Sequence, residues 1–203
     1  MAITALVMAG GKGTRMRTTV EKPLLKVGGK TMIHHVIDAL RKAESVNRLI
    51  VAVTPATRRT AEAARAQGVE VVETTGEGYE QDMKEAIVKL GLKDVIVVAA
   101  DLPFLAPAIV DEVVRNYYSS GKPALMVAAP VKLYSNIDLE ASYVFDYEGQ
   151  ELAPVGLNMI DGTRITEKKL DEAVFVVRNH DLIFNVNTQT DLKLARNRQE
   201  KHK

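Results

Sequence analysis

Gly10, Gly11, Lys12, Gly13 and Arg15 form a glycine-rich, cation-bearing loop directly after the apolar run Leu6-Val7-Met8-Ala9. Glycines leave the backbone unshielded, so successive N–H groups can converge on phosphate oxygens as an anion-binding concavity. Lys12 adds a mobile point charge beside it, and Arg15 a planar two-pronged donor. Thr14 and Met16 close the string, and Glu21-Lys22-Pro23-Leu24 follows. Lys22 returns to the loop if the chain after Thr18 turns. From Lys12 to Lys30 there are six basic residues and one acid, Glu21, so positive charge concentrates where phosphate would bind. Two commoner phosphate motifs are excluded. A P-loop requires Gly-Lys-Ser/Thr, whereas Gly13 follows Lys12; the dinucleotide fingerprint requires a third Gly or Ala where Met16 stands.

Asp101 is the second chemical feature. It ends the unbroken apolar run Val95 to Ala100 and precedes Leu102-Pro103-Phe104. A carboxylate at the end of a buried strand can hold a hard divalent cation that bridges nucleotide phosphates. The third is Phe184-Asn185-Val186-Asn187-Thr188. If this is a strand, Asn185 and Asn187 share a face and both can look into a cleft; alternatively Asn187, Thr188 or Thr190 caps the last helix. Gly76-Glu77-Gly78 lies between strand and helix patterns. Glu77, Glu80, Asp82 or a loop carbonyl could accept hydrogen bonds from a base, although glycines there are also ordinary turn chemistry. In Pro154-Val155-Gly156-Leu157-Asn158, a glycine inside a strand-like run signals a close approach by ligand or by backbone.

The loop and Glu21-Lys22-Pro23-Leu24 resemble the signature of MobA-like nucleotidyltransferases, which attach a nucleoside monophosphate to a phosphorylated substrate and release pyrophosphate. That superfamily includes sugar-phosphate, molybdenum-cofactor and cobamide-precursor enzymes. The resemblance implies nucleotide contacts from Met8, Ala9, Gly10, Gly11, Lys12, Gly13, Thr14, Arg15, Lys22, Gly76 and Gly78. It implies catalytic roles for Lys12, Arg15, Lys22 and Asp101, and Mg2+ held by Asp101 and Asn187. The Gly76-to-Tyr79 loop, the Pro154-to-Asn158 stretch and the ending Phe184 to Ala195 are similar to archaeal guanylyltransferases acting on adenosylcobinamide phosphate. GTP and that acceptor are therefore the expected partners, with Gly156 and Asn158 on the acceptor. Molybdenum-cofactor guanylyl transfer, another transfer of this type, and a non-catalytic nucleotide-binding regulator are the alternatives.

The elements that must position these groups are legible as an α/β pattern. Strands are expected at Thr4 to Met8, Leu49 to Val53, Val69 to Val72, Val95 to Ala100 and Ala124 to Ala129. Helical spacing falls at Ile33 to Leu40, Ala61 to Gln67, Tyr79 to Leu90 and Ile109 to Tyr118. This rhythm predicts a Rossmann-like three-layer sandwich around a mostly parallel sheet, with ligands beyond the strands' carboxyl ends. Residues 131–162 read as a β-hairpin excursion over the active face, turning at Glu148-Gly149-Gln150. Strands at Val174 to Val177 and Ile183 to Val186 and a helix from Thr190 complete the chain, with Arg198 to Lys203 expected to fray.

The 203 residues fit one domain, 1–203. With 46% hydrophobic and 26% charged residues and a net charge of +1, nothing favours nucleic acid as a partner. There is no cysteine, which excludes disulfides and thiolate chemistry. No apolar run approaches the roughly 20 residues of a membrane span, and Ala2 to Met8 is too short for a signal peptide, so a cytoplasmic location is expected. The histidines His34, His35, His180 and His202 have no zinc-like spacing. Tyr117 and Tyr118 read as packing residues. Related enzymes often dimerise, and the hairpin offers a contact, though a monomer is equally compatible with the function.

Overall fold

The computed structural model describes residues 2–16, 18–137 and 139–201. The chain begins with β1 (Ile3–Met8), passes through a ribbon of β2 (Lys26–Val27) and β3 (Lys30–Thr31), and enters α1 (Met32–Lys42). Strand and helix then alternate: β4 (Val46–Val53), α2 (Arg58–Ala66), β5 (Glu70–Glu73), α3 (Tyr79–Leu90), β6 (Asp94–Ala99), α4 (Pro107–Ser120) and β7 (Ala124–Pro130). A short α5 (Val131–Ser135) leads to β8 (Phe145–Tyr147), β9 (Gln150–Asp161), β10 (Glu172–Val176) and α6 (Gln189–Lys201).

The main sheet runs β10-β7-β9-β6-β1-β4-β5, with β8 paired to β9. β1 pairs in parallel with both β4 and β6, β5 pairs in parallel with β4, and β10 pairs in parallel with β7. β9 runs antiparallel between β6 and β7. The sheet is thus mostly parallel, as the rhythm of the sequence implies, and the fold is Rossmann-like α/β.

Alternating side chains explain why the strands are apolar throughout. Ala5, Val7, Val51, Ile96 and Val98 enter the core shared with α1, α2, α4 and α6. Their neighbours Leu6, Met8, Ile50, Ala52, Val95 and Val97 pack on the other face against Ala86 and Ile87 of α3. On the α3 side of the sheet, partly buried Ile165 and Leu170 belong with Ile160 of β9 to the same apolar cluster, as do Met83 and Leu90 of α3. A groove remains there, above β7 and β9.

Three expectations are corrected. The hairpin at residues 145–152 forms, but its second arm continues as the 12-residue β9 and fills the middle of the sheet instead of lying over the active face. Ile183 to Val186 is not a strand: the Phe184 N–H turns back to the Asp181 carbonyl, and the Asn185 N–H to that of Ile183. These residues are apolar because the loop plugs the core, where Ile183, Phe184 and Val186 are buried. The C-terminal segment is helical through Lys201, and Arg198 pairs with Asp181 at 2.5 Å and lies over the Phe184 ring; His202 and Lys203 lie outside the described residues.

β9 leaves the sheet at Gly162, whose N–H donates to the Lys93 carbonyl at 2.7 Å. A Cβ there would sit 2.3 Å from the Leu92 carbonyl oxygen and 2.8 Å from that of Lys93, so backbone would have to move. Gly162→Ala is expected to cost about 1–3 kcal/mol, as overpacking does. Denaturant unfolding measures this, and unchanged stability would show that the contact relaxes freely.

Candidate active site

The glycine loop is held at both ends while its middle stays open. At its start, the Thr54 hydroxyl donates to the Gly10 carbonyl at 2.8 Å, and a Cβ on Gly10 would lie 2.4 Å from Thr54 Cγ2. At its end, a single helical turn, Thr14–Met16, buries Met16 completely, and Gln189 Nε2 donates to the Met16 carbonyl at 2.7 Å. Met16 therefore occupies the fingerprint's glycine position as a core anchor. The loop borders a cavity of about 330 Å³, lined by Met8, Gly10, Gly11, Lys12, Gly13, Thr14, Thr54, Gly76, Gly78, Tyr79 and Asp82. Ala9 is buried behind it. Arg15 faces a second cavity of about 430 Å³, shared with Ser142, Asn187, Thr188 and Thr190. The two cations of the loop thus serve different spaces.

The opposite wall is tied to α3. Asp82 is buried, and its Oδ1 accepts from the Gly76 N–H at 2.7 Å. That oxygen shapes the loop, and Asp82 also lines the glycine-loop cavity. Glu85 Oε2 accepts from both the N–H and the hydroxyl of Thr75 at 2.9 Å. These bonds, the backbone one foremost, hold the Glu85 carboxyl below its ordinary range. Glu77 and Glu80 remain exposed.

Lys22, Asp101 and Asn187 meet at the end of β6. The Ala100 N–H donates to the Met8 carbonyl at 3.2 Å, extending the β1–β6 ladder to the residue before Asp101. The Val186 N–H donates to the Asp101 carbonyl, also at 3.2 Å. The Lys22 ammonium donates to Asp101 Oδ2 at 2.5 Å and to Asn187 Oδ1 at 2.8 Å. Lys22 is placed by Glu21, whose carboxylate accepts from the N–H groups of Arg59 (2.9 Å) and Thr60 (2.7 Å) and from the Thr60 hydroxyl (2.6 Å). Glu21 thereby caps the N-terminus of α2 from a distance. Asn187 is freed from capping because Thr188 and Asp191 cap α6 reciprocally. The Thr188 hydroxyl accepts from the Asp191 N–H, and Asp191 Oδ2 accepts from the N–H groups of Asn187 and Thr188 at 2.8 Å.

Among the described residues, Asp101 Oδ1 and Asn185 Oδ1 are buried without a hydrogen-bond partner. Buried acceptors of this kind need a donor or a cation. A carboxylate and amide oxygens are the hard ligands a divalent cation takes, so this set fits such an ion.

Tyr79 begins α3 and borders two spaces. Desolvation, and then the charge of Asp101, push the phenol's pKa up. Beyond it runs the groove above the sheet, about 840 Å³, lined by Met126, Asn158, Ile160 and residues 165, 167–172 among others. Asn158 faces this groove, whereas Gly156 lines none of the three spaces. A Cβ on Gly156 would lie 3.0 Å from Ala99 Cβ and 3.1 Å from Asn185 Nδ2, so close packing explains this glycine without a ligand.

Thr54, Glu21 as a cap and Tyr79 carry no sequence signal for these roles beyond the Thr54-Pro55 step after a strand, whereas Asn185 does through its spacing from Asn187. The partners of the first three are remote. Two histidines have structural partners: His35 Nε2 bonds the Val27 carbonyl at 2.8 Å, and His34 bonds the Thr31 hydroxyl. His180 is partly buried. Tyr117 and Tyr118 both donate to Asp94 and act in packing.

Residues 5–142 match the family model described as the MobA-like NTP transferase domain. An adenosylcobinamide-phosphate guanylyltransferase from Methanocaldococcus jannaschii is 35% identical over 201 residues, covering 94% of each chain. A probable molybdenum cofactor guanylyltransferase from Thermococcus kodakarensis is 30% identical, covering 92% of this chain and 90% of its own. Among solved structures, CMP:2-keto-3-deoxy-manno-octonic acid synthetase complexed with CTP superposes with a TM-score of 0.75 at 15% identity, covering 100% of this chain and 99% of that one.

The role of Glu21 is directly measurable. Glu21→Ala removes all three acceptor contacts to the start of α2 and should destabilise the protein by about 1–2 kcal/mol, the range for a lost helix cap. Chemical denaturation reads this, and no loss of stability would separate Glu21 from the anchoring of Lys22.

Proposed function

The chain belongs to the MobA-like NTP transferase family and is a nucleotidyltransferase, and from that premise we propose that it transfers GMP from GTP to adenosylcobinamide phosphate. The observation that carries the reading is continuity of space. The glycine-loop cavity adjoins Tyr79, and past Tyr79 opens a groove more than twice as large, about 840 Å³ against 330 Å³. A large acceptor suits that groove. Its lining mixes Lys84, Lys168 and Lys169 with Glu80, Glu167, Asp171 and Glu172, which suits an amide-fringed ring better than a small polyanion. The near full-length similarity to the Methanocaldococcus enzyme supports the same acceptor.

In this reading the acceptor phosphate attacks the α-phosphorus of GTP in line. A new oxygen–phosphorus bond forms, the bond to the β-bridging oxygen breaks, and pyrophosphate leaves. A phosphomonoester has a second pKa of about 6 and is already largely dianionic at neutral pH, so no strong general base is required. Catalysis consists of alignment and charge neutralisation. The N–H groups of Gly10, Gly11 and Gly13, with Lys12 and Thr14, hold the triphosphate; Lys22 reaches it from the Asp101 side, and Arg15 guards the second cavity. Mg2+ at Asp101 and Asn187 would supply further neutralisation of phosphate charge. The Gly76–Gly78 backbone faces the base, and Asn158 faces the acceptor. Gly156 serves by letting β9 approach Ala99 and Asn185. We infer one functional domain in the cytoplasm; no described helix is long and apolar enough to cross a membrane. The exposed segment Tyr143-Val144 leading into β8, with Tyr143 stacked on Phe145, is the surface for a homodimer.

The second reading is guanylyl transfer to the molybdenum cofactor, favoured by the similarity to the Thermococcus protein. Pyrophosphate release with GTP, ATP, UTP and CTP, with and without adenosylcobinamide phosphate and Mg2+, decides between them. Release is expected only with GTP, that acceptor and metal together; release requiring molybdopterin instead supports the second reading, and GTP binding without release under either acceptor supports a regulatory protein. Asp101→Asn should reduce turnover on the order of 10²-fold or more, as loss of other preorganised charge does. Undiminished turnover would remove Asp101 from the reacting centre.

A further inference from the structure

Asp101 Oδ2 and Asn187 Oδ1 converge on a single group, the Lys22 ammonium, at 2.5 Å and 2.8 Å. Each of the three comes from a separately anchored segment. Glu21 fixes Lys22 to α2, the Thr188–Asp191 cap fixes the loop bearing Asn187, and the Val186 N–H fixes the backbone of Asp101. The Lys22 and Asp101 side chains are only 17% and 13% exposed. A carboxylate withdrawn from water to this degree is strongly disfavoured without a cation, so a positive charge faces Asp101 whether or not a ligand is bound.

A divalent metal on Asp101 shares that carboxylate with the ammonium, whether it takes the unpartnered Oδ1 or the Oδ2 that Lys22 holds, and Asn187 Oδ1 is the second oxygen they compete for. An ammonium on the same carboxylate and amide repels the metal, so each weakens the other's hold there. The lysine also has another place to go. Its Cβ lies 3.0 Å from where a Cβ on Gly13 would stand, which puts its stem on the rim of the glycine loop. Four rotatable methylenes can carry the ammonium from Asp101 to a phosphate seated in that loop.

We propose that Lys22 is the resident counter-ion of the cation site and gates it: the ammonium holds Asp101 and Asn187 closed to metal until nucleotide phosphates draw it away. Metal loading then follows triphosphate binding, and the two ligands reinforce each other through the position of one side chain. The inference rests on the metal assignment of Asp101 and Asn187 made above, but not on which base or acceptor is used.

The test is titration of the nucleotide-free full-length protein with Mn2+, followed by electron paramagnetic resonance, for wild type, Lys22→Met, Lys22→Gln and the double variant Lys22→Met/Asp101→Asn. The Met variant is expected to bind Mn2+ at least about 10-fold more tightly than wild type, within the usual span of coupling between sites, and the double variant should lose the gain. Lys22→Gln keeps a hydrogen-bond donor without the charge and should also gain affinity, which preserves the comparison if the Met variant is unstable. Variants that bind Mn2+ no more tightly than wild type overturn the gate. Loss of the gain together with Mn2+–GTP binding that is indifferent to Asp101→Asn overturns the metal assignment as well.

Discussion

One ion pair ties the functional end of this molecule together: Lys22 to Asp101, with Asn187 sharing the ammonium. It joins positions 79 and 165 residues apart in the chain, so its geometry rests on the sheet, the Glu21 cap and the start of the C-terminal helix together. The parallel order of β4, β1 and β6 brings the ends of those strands to one edge of the sheet. The glycine loop follows β1 and Asp101 follows β6, and adjacency of those strands makes the two neighbours. The site is thus a consequence of strand order, with the charged groups then held by caps and turns from the periphery.

The same sheet explains how two substrates of different size could meet. On one face α1, α2, α4 and α6 complete the core; on the other, α3 covers the half built around β1 and β6. The other half, above β7 and β9, carries a groove in place of a helix. Tyr79, at the first turn of α3, stands where covered and open halves meet, with Asp101 close enough for its charge to act on the phenol. Nucleotide and acceptor are expected to approach from opposite sides of this residue.

Local physics made much of this legible in the residues. Helix α3 spans Tyr79 to Leu90 as its apolar spacing and the closing Gly91 indicate, and the unbroken apolar run before Asp101 is the central strand β6. The glycine loop was legible because its backbone and charge requirements lie within a few consecutive residues. What failed was everything decided by distant contact. β9 has the alternation of a hairpin arm, and nothing in its own sequence states that it will insert between β6 and β7. Ile183 to Val186 has the composition of a strand because a core-plugging loop needs the same apolar residues. Asp82 also holds the Gly76 N–H, a loop-shaping bond that its own neighbours in sequence do not announce. Glu21, adjacent to Lys22, gave no local sign that its partners would be Arg59 and Thr60.

The most direct measurement is a crystal structure of the protein with GTP and Mn2+, with manganese located by anomalous scattering. The expected map places the triphosphate along Gly10 to Thr14, manganese on Asp101 and Asn187, and the Lys22 ammonium on a phosphate oxygen. A triphosphate bound outside the glycine loop, or manganese elsewhere with Lys22 still on Asp101, would contradict a site organised around that carboxylate.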